Sequence, residues 1–279
     1  SLPSRGLGDV YKRQSKNNFE KVLVGLSGGI DSALTATIAV DALGSNNVVG
    51  VALPSKYNTE ESLVDARLLA ENLDIEFKVI EIEEIVNIFR NTLKESVNDE
   101  LGPITDENIQ SRVRGNILMA LSNQTGAMVV STGNKSEMAV GYSTLYGDLA
   151  GGFALLKDLY KTEVYNLANF RNSISSVIPQ NTIDKEPSAE LRPDQFDKDS
   201  LPEYELLDEI LRMYIEEDSS SEKIISKGID ENIVYDVLSK VDRNEYKRKQ
   251  VAPGVKLTEK AFGKDRRMPI TNTYIRERG

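Results

Sequence analysis

An alternation constrains this chain more than any other feature. Short apolar runs over residues 22–26, 48–53, 77–82 and 128–131 are separated by stretches of helical periodicity over 31–43, 59–73, 84–97 and 109–122. A run that is apolar at consecutive positions is buried on both faces, and strands joined by helices of this size lie parallel. In the second helical stretch, Thr59 opens the helix and Leu63, Ala66, Leu69, Ala70 and Leu73 fall on one face. The pattern predicts an α/β fold: a doubly wound parallel sheet with helices on both faces. Residues 204–250 read as a helical C-terminal region. Residues 141–152, rich in Gly and Tyr, and 179–203, rich in Pro and acidic residues, read as loops.

Composition narrows the chemistry. The 279 residues contain no Cys and no His. This excludes disulfides, thiolate nucleophiles, imidazole bases and the usual zinc sites. Catalysis must rest on carboxylates, hydroxyls, Lys and Arg, backbone amides and oxygen-bound metal ions. No apolar run approaches the roughly 18–20 residues of a membrane span, and the lack of Cys suits a cytoplasmic location. The net charge of −10 argues against a nucleic-acid partner. That charge is uneven: residues 243–278 carry 11 basic and 4 acidic side chains, a net of +7, which leaves −17 for the rest. Residues 1–14 have no signal-peptide pattern. They read as a non-native tail before a single domain over 15–279.

The strongest local signal follows the first strand, at Gly25, Leu26, Ser27, Gly28, Gly29, Ile30, Asp31 and Ser32. Adjacent glycines let a phosphate approach the backbone, the serines add hydroxyls, and the next helix presents free N–H groups. The loop matches neither the kinase-type phosphate loop nor the dinucleotide fingerprint. Asp31 is ill placed to bind phosphate directly, but well placed if Mg²⁺ bridges carboxylate and phosphate. The plainer account is a tight strand–helix turn with an Asp or Ser cap.

Four further segments accompany it. Residues 107–114 offer Arg112 and Arg114 as guanidinium forks at the start of a helix. Residues 131–137 leave a strand at the same sheet edge and end on Glu137, a possible second metal carboxylate. Residues 141–148 supply tyrosines, and 186–202 occupy the long acidic loop. A solvated helix face, a capped helix and a surface turn account for each segment alone. They do not account for all of them in this order beside the first loop.

The pattern Ser-Gly-Gly-x-Asp-Ser resembles that of the ATP pyrophosphatases, which cleave ATP between its α and β phosphates and share an adenine nucleotide α-hydrolase-like fold. In this order, from about residue 16 onward, the segments are similar to NAD⁺ synthetases. Residues 247–254 and 261–270, with Leu145, resemble the synthetase portion of the glutamine-dependent branch. The resemblance implies ATP-dependent amidation of deamido-NAD⁺ by ammonia through an acyl-adenylate. It places residues 25–32, Thr132, Lys161 and Ser188 near ATP, and Asp31 and Glu137 on Mg²⁺. Asn108, Arg112, Glu137 and Lys247 fall near deamido-NAD⁺, with Arg112 chosen over its neighbour Arg114. It also implies a homodimer, its deamido-NAD⁺ site at an interface supplied by the early helices. That branch carries an upstream glutaminase with a Cys nucleophile. This chain holds no Cys, so it is expected either to be a piece of a longer one or to take ammonia, free or from a partner. A GMP-synthetase-like amidating enzyme and an inactive nucleotide-binding module remain the alternatives.

Overall fold

A computed structural model describes residues 20–97 and 99–271; the expected tail over 1–14 lies outside the described residues. Strands β1 (Val22–Gly25), β2 (Val48–Ala52), β3 (Glu76–Val79), β4 (Met128–Ser131) and β5 (Phe153–Ala154) form one sheet in the order β3-β2-β1-β4-β5. All neighbours are parallel. The chain steps outward from β1 through β2 to β3, then returns to the other side of β1 for β4. That reversal opens a crevice at the carboxyl ends of β1 and β4, where open α/β sheets bind their ligands.

The main helices are α1 (Ile30–Leu43), α2 (Glu60–Asn72), α3 (Glu83–Val97), α4 (Pro103–Thr125), α5 (Lys135–Val140) and α6 (Lys161–Ile174). Alternation along β1 explains the two layers. Val22 and Val24 join Leu34 of α1, Leu69 of α2 and Val164 of α6 in one core. Leu23, between them, joins Val86 of α3 and Val113 of α4 in another. The doubly wound expectation is met.

Beyond α7 (Gln180–Asp184) come α8 (Tyr204–Leu211), α9 (Ser221–Ile225), α10 (Glu231–Arg243) and α11 (Glu245–Arg248), with a π turn over Arg212–Glu216. Leu207, Ile210 and Leu211 pack with Val234, Val237, Leu238 and Val241, and this third core also takes in Ala139 and Val140 of α5. The short helix α5 is therefore wedged between the sheet and the C-terminal helices.

Two differences from expectation have physical causes. Helix α4 begins at Pro103, before the predicted residue 109, because Gly102 and Pro103 start it and its first turn is too exposed to show apolar periodicity. Strand β5 spans two residues, too few to leave a pattern. It is extended by the C-terminal segment: the N–H of Ala154 donates to the carbonyl of Pro253 at 3.0 Å.

Candidate functional site

The loop from Gly25 to Ser32 forms a closed knot of short hydrogen bonds. The Ser32 hydroxyl donates to the Gly29 carbonyl at 2.9 Å, and the Ser27 and Gly29 N–H groups donate to Ser32 Oγ and Ser27 Oγ at 3.3 and 3.2 Å. Helix α1 starts from Gly29 with no side-chain cap. The Asp or Ser cap of the plainer account is absent, so the first N–H groups of this helix have no intrahelical partner and no capping side chain. Gly28 has φ +80°, and a Cβ there would lie 2.2 Å from the Ser62 carbonyl oxygen in the first turn of α2. Gly28→Ala is expected to destabilise the fold by about 1–3 kcal/mol through backbone strain alone, and more through the clash. Denaturant unfolding measures it, and a midpoint equal to the parent's contradicts this account of the loop.

Beside the loop, two carboxylates face one ammonium. Lys161, the first residue of α6, is 3% exposed. Its Nζ lies 2.5 Å from Asp31 Oδ2 and 3.2 Å from Glu137 Oε1, and 5.1 Å from the centre of the Tyr204 ring. Burial pushes the Glu137 carboxyl up to about 8, with Lys161 opposing and Asp31 adding to the rise. Asp31 and Glu137 together hold the Lys161 ammonium protonated against burial. Asn134 ties the parts together. It caps α5, accepting from the Glu137 N–H at 3.0 Å, while its amide donates to Asp31 Oδ1 at 2.9 Å.

These groups border a cavity of about 500 Å³ at the crevice between β1 and β4. Of the residues singled out from the sequence, all but Gly28 and Arg112 line it. Gly28 instead presses against α2. Arg112 is exposed and donates from Nε to the Leu145 carbonyl at 3.2 Å. Its neighbour Arg114 does line the cavity, donating to the Leu53 carbonyl and to Asn58 Oδ1, both at 2.9 Å. The helical phase of α4 makes this choice, and the sequence pair Arg-Val-Arg carried no signal of it.

Asn108 and Lys247 brace the tyrosine-rich loop. Thr144 Oγ1 donates to Asn108 Oδ1 at 2.7 Å, and Lys247 Nζ donates to the Gly141 and Ser143 carbonyls at 2.7 Å each. Burial lowers the pKa of Lys247. On the opposite rim, Ser188 donates to the Gln195 carbonyl at 2.5 Å. Glu190 pins the long loop to the start of α2 by accepting from Asn58, Thr59 and Ser62. Thr132 lines the cavity where β4 ends. Asn134, Asp197 and Tyr204 were missed from sequence. Tyr204 donates to Asp197 at 2.7 Å beneath the lysine. Only Asn134 left a signal, as Asn at the cap three residues before Glu137.

Comparison with known proteins gives the family. Residues 8–251 match the model of the NAD synthase family. A glutamine-dependent NAD(+) synthetase from Thermotoga maritima is 56% identical over 96% of this chain and 46% of its own length. The structure of the glutamine-dependent NAD+ synthetase from Acinetobacter baumannii in complex with ADP is 46% identical, with a TM-score of 0.65, over 96% of this chain and 49% of that one. The NMN synthetase from Francisella tularensis is 28% identical with a TM-score of 0.76, over 92% of this chain and 96% of its own. The chain spans about half the length of the curated relatives it matches. With a family model matched over most of its length and relatives this similar, this chain belongs to the NAD synthase family.

Proposed function

We propose that this domain activates the nicotinate carboxylate of deamido-NAD⁺ with ATP and lets ammonia displace AMP. The single observation that carries this reading is the convergence of Asp31, Glu137 and Lys161 beside the uncapped start of α1, in a cavity without His or Cys. A carboxylate is a poor electrophile, and AMP is a far better leaving group than oxide. The substrate carboxylate attacks the α-phosphorus, breaking its bond to the bridging oxygen and releasing pyrophosphate. Ammonia then adds to the acyl carbon, loses a proton, and the acyl–phosphate C–O bond breaks to release AMP. Neither nucleophile needs a strong protein base, so positioning and charge neutralisation supply most of the rate.

Each residue has a role in that scheme. The loop from Gly25 to Ser32 cradles the polyphosphate with backbone N–H groups and the Ser27 and Ser32 hydroxyls. Thr132 and Ser188 border the nucleotide. The Lys161 ammonium balances charge gathering on the α-phosphate oxygens. Asn108 and Lys247 support deamido-NAD⁺ through the 141–148 loop, and Arg112 steadies the same loop from outside. The donor set fits Mg²⁺. Among the described residues no group of three or more acidic side chains is arranged to hold a metal, but Mg²⁺ typically takes one or two carboxylates together with substrate phosphates. Asp31 and Glu137 provide such a pair, and a cation already stands between them. When bound, Mg²⁺ supplies charge neutralisation for the polyphosphate.

Ammonia reaches the site free or from a glutaminase located elsewhere, as the names of the longer relatives imply. Pairing of two copies through α3 and α4 is supported by their exposed apolar residues, Ile88 at 64% and Ile104 at 74%. A dimer in sedimentation that dissociates in Ile104→Asp is the expected result, and a monomeric parent refutes the pairing.

The test of activity is direct. The protein with ATP, Mg²⁺, ammonium and deamido-NAD⁺ is expected to form NAD⁺, AMP and pyrophosphate in equal amounts. Amidation of the mononucleotide alone points to the chemistry named for the Francisella protein. Nucleotide cleavage without either product points to a sister amidating enzyme, and no cleavage to a binding module.

A further inference from the structure

Helix α5 presents two faces. Glu137 lines the cavity and Asn134, the cap, reaches Asp31 beside it, whereas Lys135 and Ser136 do not line it and are wholly buried. A fully buried lysine is rare because the ammonium must find partners for its charge and all three of its protons. Lys135 finds a complete set. Its Nζ lies 3.0 Å from Asp158 Oδ1 and 3.0 Å from Glu216 Oε1. It also donates to Thr258 Oγ1 at 2.5 Å and to the Lys260 carbonyl at 3.0 Å, and stands 4.8 Å from the centre of the Tyr160 ring. The partners come from three distant parts of the chain: the approach to α6, the π turn, and the C-terminal segment. Asp158 grips that segment as well, accepting from the Leu257 and Thr258 N–H groups at 2.7 and 2.8 Å.

The segment Asp158 to Lys161 runs directly against the start of α5. The Lys135 N–H donates to the Leu159 carbonyl at 2.7 Å. The Lys161 N–H donates to Ser136 Oγ at 2.9 Å, and Ser136 in turn donates to the buried carboxylate of Asp208. The third rung is the pair that matters for chemistry, Lys161 Nζ on Glu137 Oε1. One register between two backbones thus carries a buried ion pair at its back and the cavity's ion pair at its front.

We propose that Lys135, with Asp158 and Glu216, is a positioning residue that fixes the register of α5 against the start of α6, so that Glu137 and Lys161 meet on the cavity floor. The C-terminal segment, through Thr258 and Lys260, completes this lock from more than 120 residues away in sequence. The inference rests on the proposed reaction for its kinetic consequence, though not for its structural one.

Lys135→Met keeps the side-chain length and removes the charge. It is expected to lower turnover about 10–100-fold, the range seen when supporting partners of reactive groups are removed, with little change in KM for ATP. Hydrogen exchange should quicken at the amides of Lys135, Lys161 and Glu137 while those of β1 and β4 keep their protection. Thr258→Val removes only the tail hydroxyl and should move both readouts the same way by less. If Lys135→Met does not fold, Thr258→Val and Glu216→Gln decide the matter by the same two readouts. Parental exchange in a folded variant overturns the proposal, as does a turnover loss that only tracks the unfolded fraction. Failure of the parent protein to amidate deamido-NAD⁺ refutes the proposed reaction instead, and the exchange measurement still decides the register lock.

Discussion

Asp31→Asn is expected to lower turnover by about 10²–10³-fold, the order of loss when charge stabilisation of a transition state is removed, here through the cation that Asp31 would hold. Asp31 lies in the first turn of α1, where the helix end favours an anion. Its two oxygens are held separately, one by Asn134 and one by Lys161. The amide preserves shape and one acceptor but removes the charge that a cation on the polyphosphate requires. Lys161 is then left with Glu137 as its one carboxylate partner on the cavity. Pyrophosphate release at saturating Mg²⁺, with the far-ultraviolet spectrum as a check on folding, measures the effect. Parental turnover in a folded variant would remove Asp31 from the reaction.

Lys161→Met carries the second large effect, on two observables at once. Turnover is expected to fall by about 10²–10³-fold, with KM for ATP nearly unchanged if the ammonium acts mainly on the transition state. Stability without metal is expected to fall by about 3–5 kcal/mol, because Asp31 and Glu137 are left facing each other with no cation between them. The loss depends on pH in a defined sense. The Glu137 carboxyl stands at about 8, above its ordinary 4.5, and rises further once the lysine that opposed the shift is gone. A group held protonated in the folded state costs nothing below its unfolded pKa and progressively more above it. Parent and variant should therefore both lose stability from about pH 4.5 upward, and the variant's deficit should widen only above about pH 8, where the parent's Glu137 ionises and the variant's does not. Added Mg²⁺ should restore part of it, more than in the parent. Thermal melts across pH with and without Mg²⁺ test this, and a difference that stays flat above pH 8 contradicts the three-group arrangement.

Much of this site was legible in the sequence because its parts are backbone-driven. The loop at Gly25–Ser32 announces itself through Gly28, whose positive φ and contact with Ser62 tolerate no side chain. Glu137 was marked by its place in the segment that leaves β4 at the same sheet edge as the first loop, and β1, β2 and β4 by unbroken apolar runs. What escaped depends on three-dimensional phase. Arg112 and Arg114 differ only in which side of α4 they leave from, and nothing in Arg-Val-Arg says which side meets the cavity. Lys135 stands in a polar stretch that carries no sign of burial. Its burial follows from Glu216 and Thr258, 81 and 123 positions away, a distance over which local pattern carries no information. Asp197 was hidden similarly, inside a loop whose composition gave only irregularity, and so was Tyr204, the first residue of α8 just after it.

The pairing of Ala154 with Pro253 has a consequence for solution behaviour. A parallel sheet that ends on a two-residue strand leaves unsatisfied backbone groups at its rim, and such a rim invites strands from other molecules. The C-terminal segment covers it with a residue that cannot itself donate: Pro253 accepts the Ala154 N–H and offers no N–H of its own to a newcomer. Gly254 follows so closely over the Ala154 carbonyl that a Cβ there would lie 2.2 Å from its oxygen. The C-terminal segment thus also guards the β5 edge, and shortening it before Pro253 is expected to leave that edge open to pairing with other molecules.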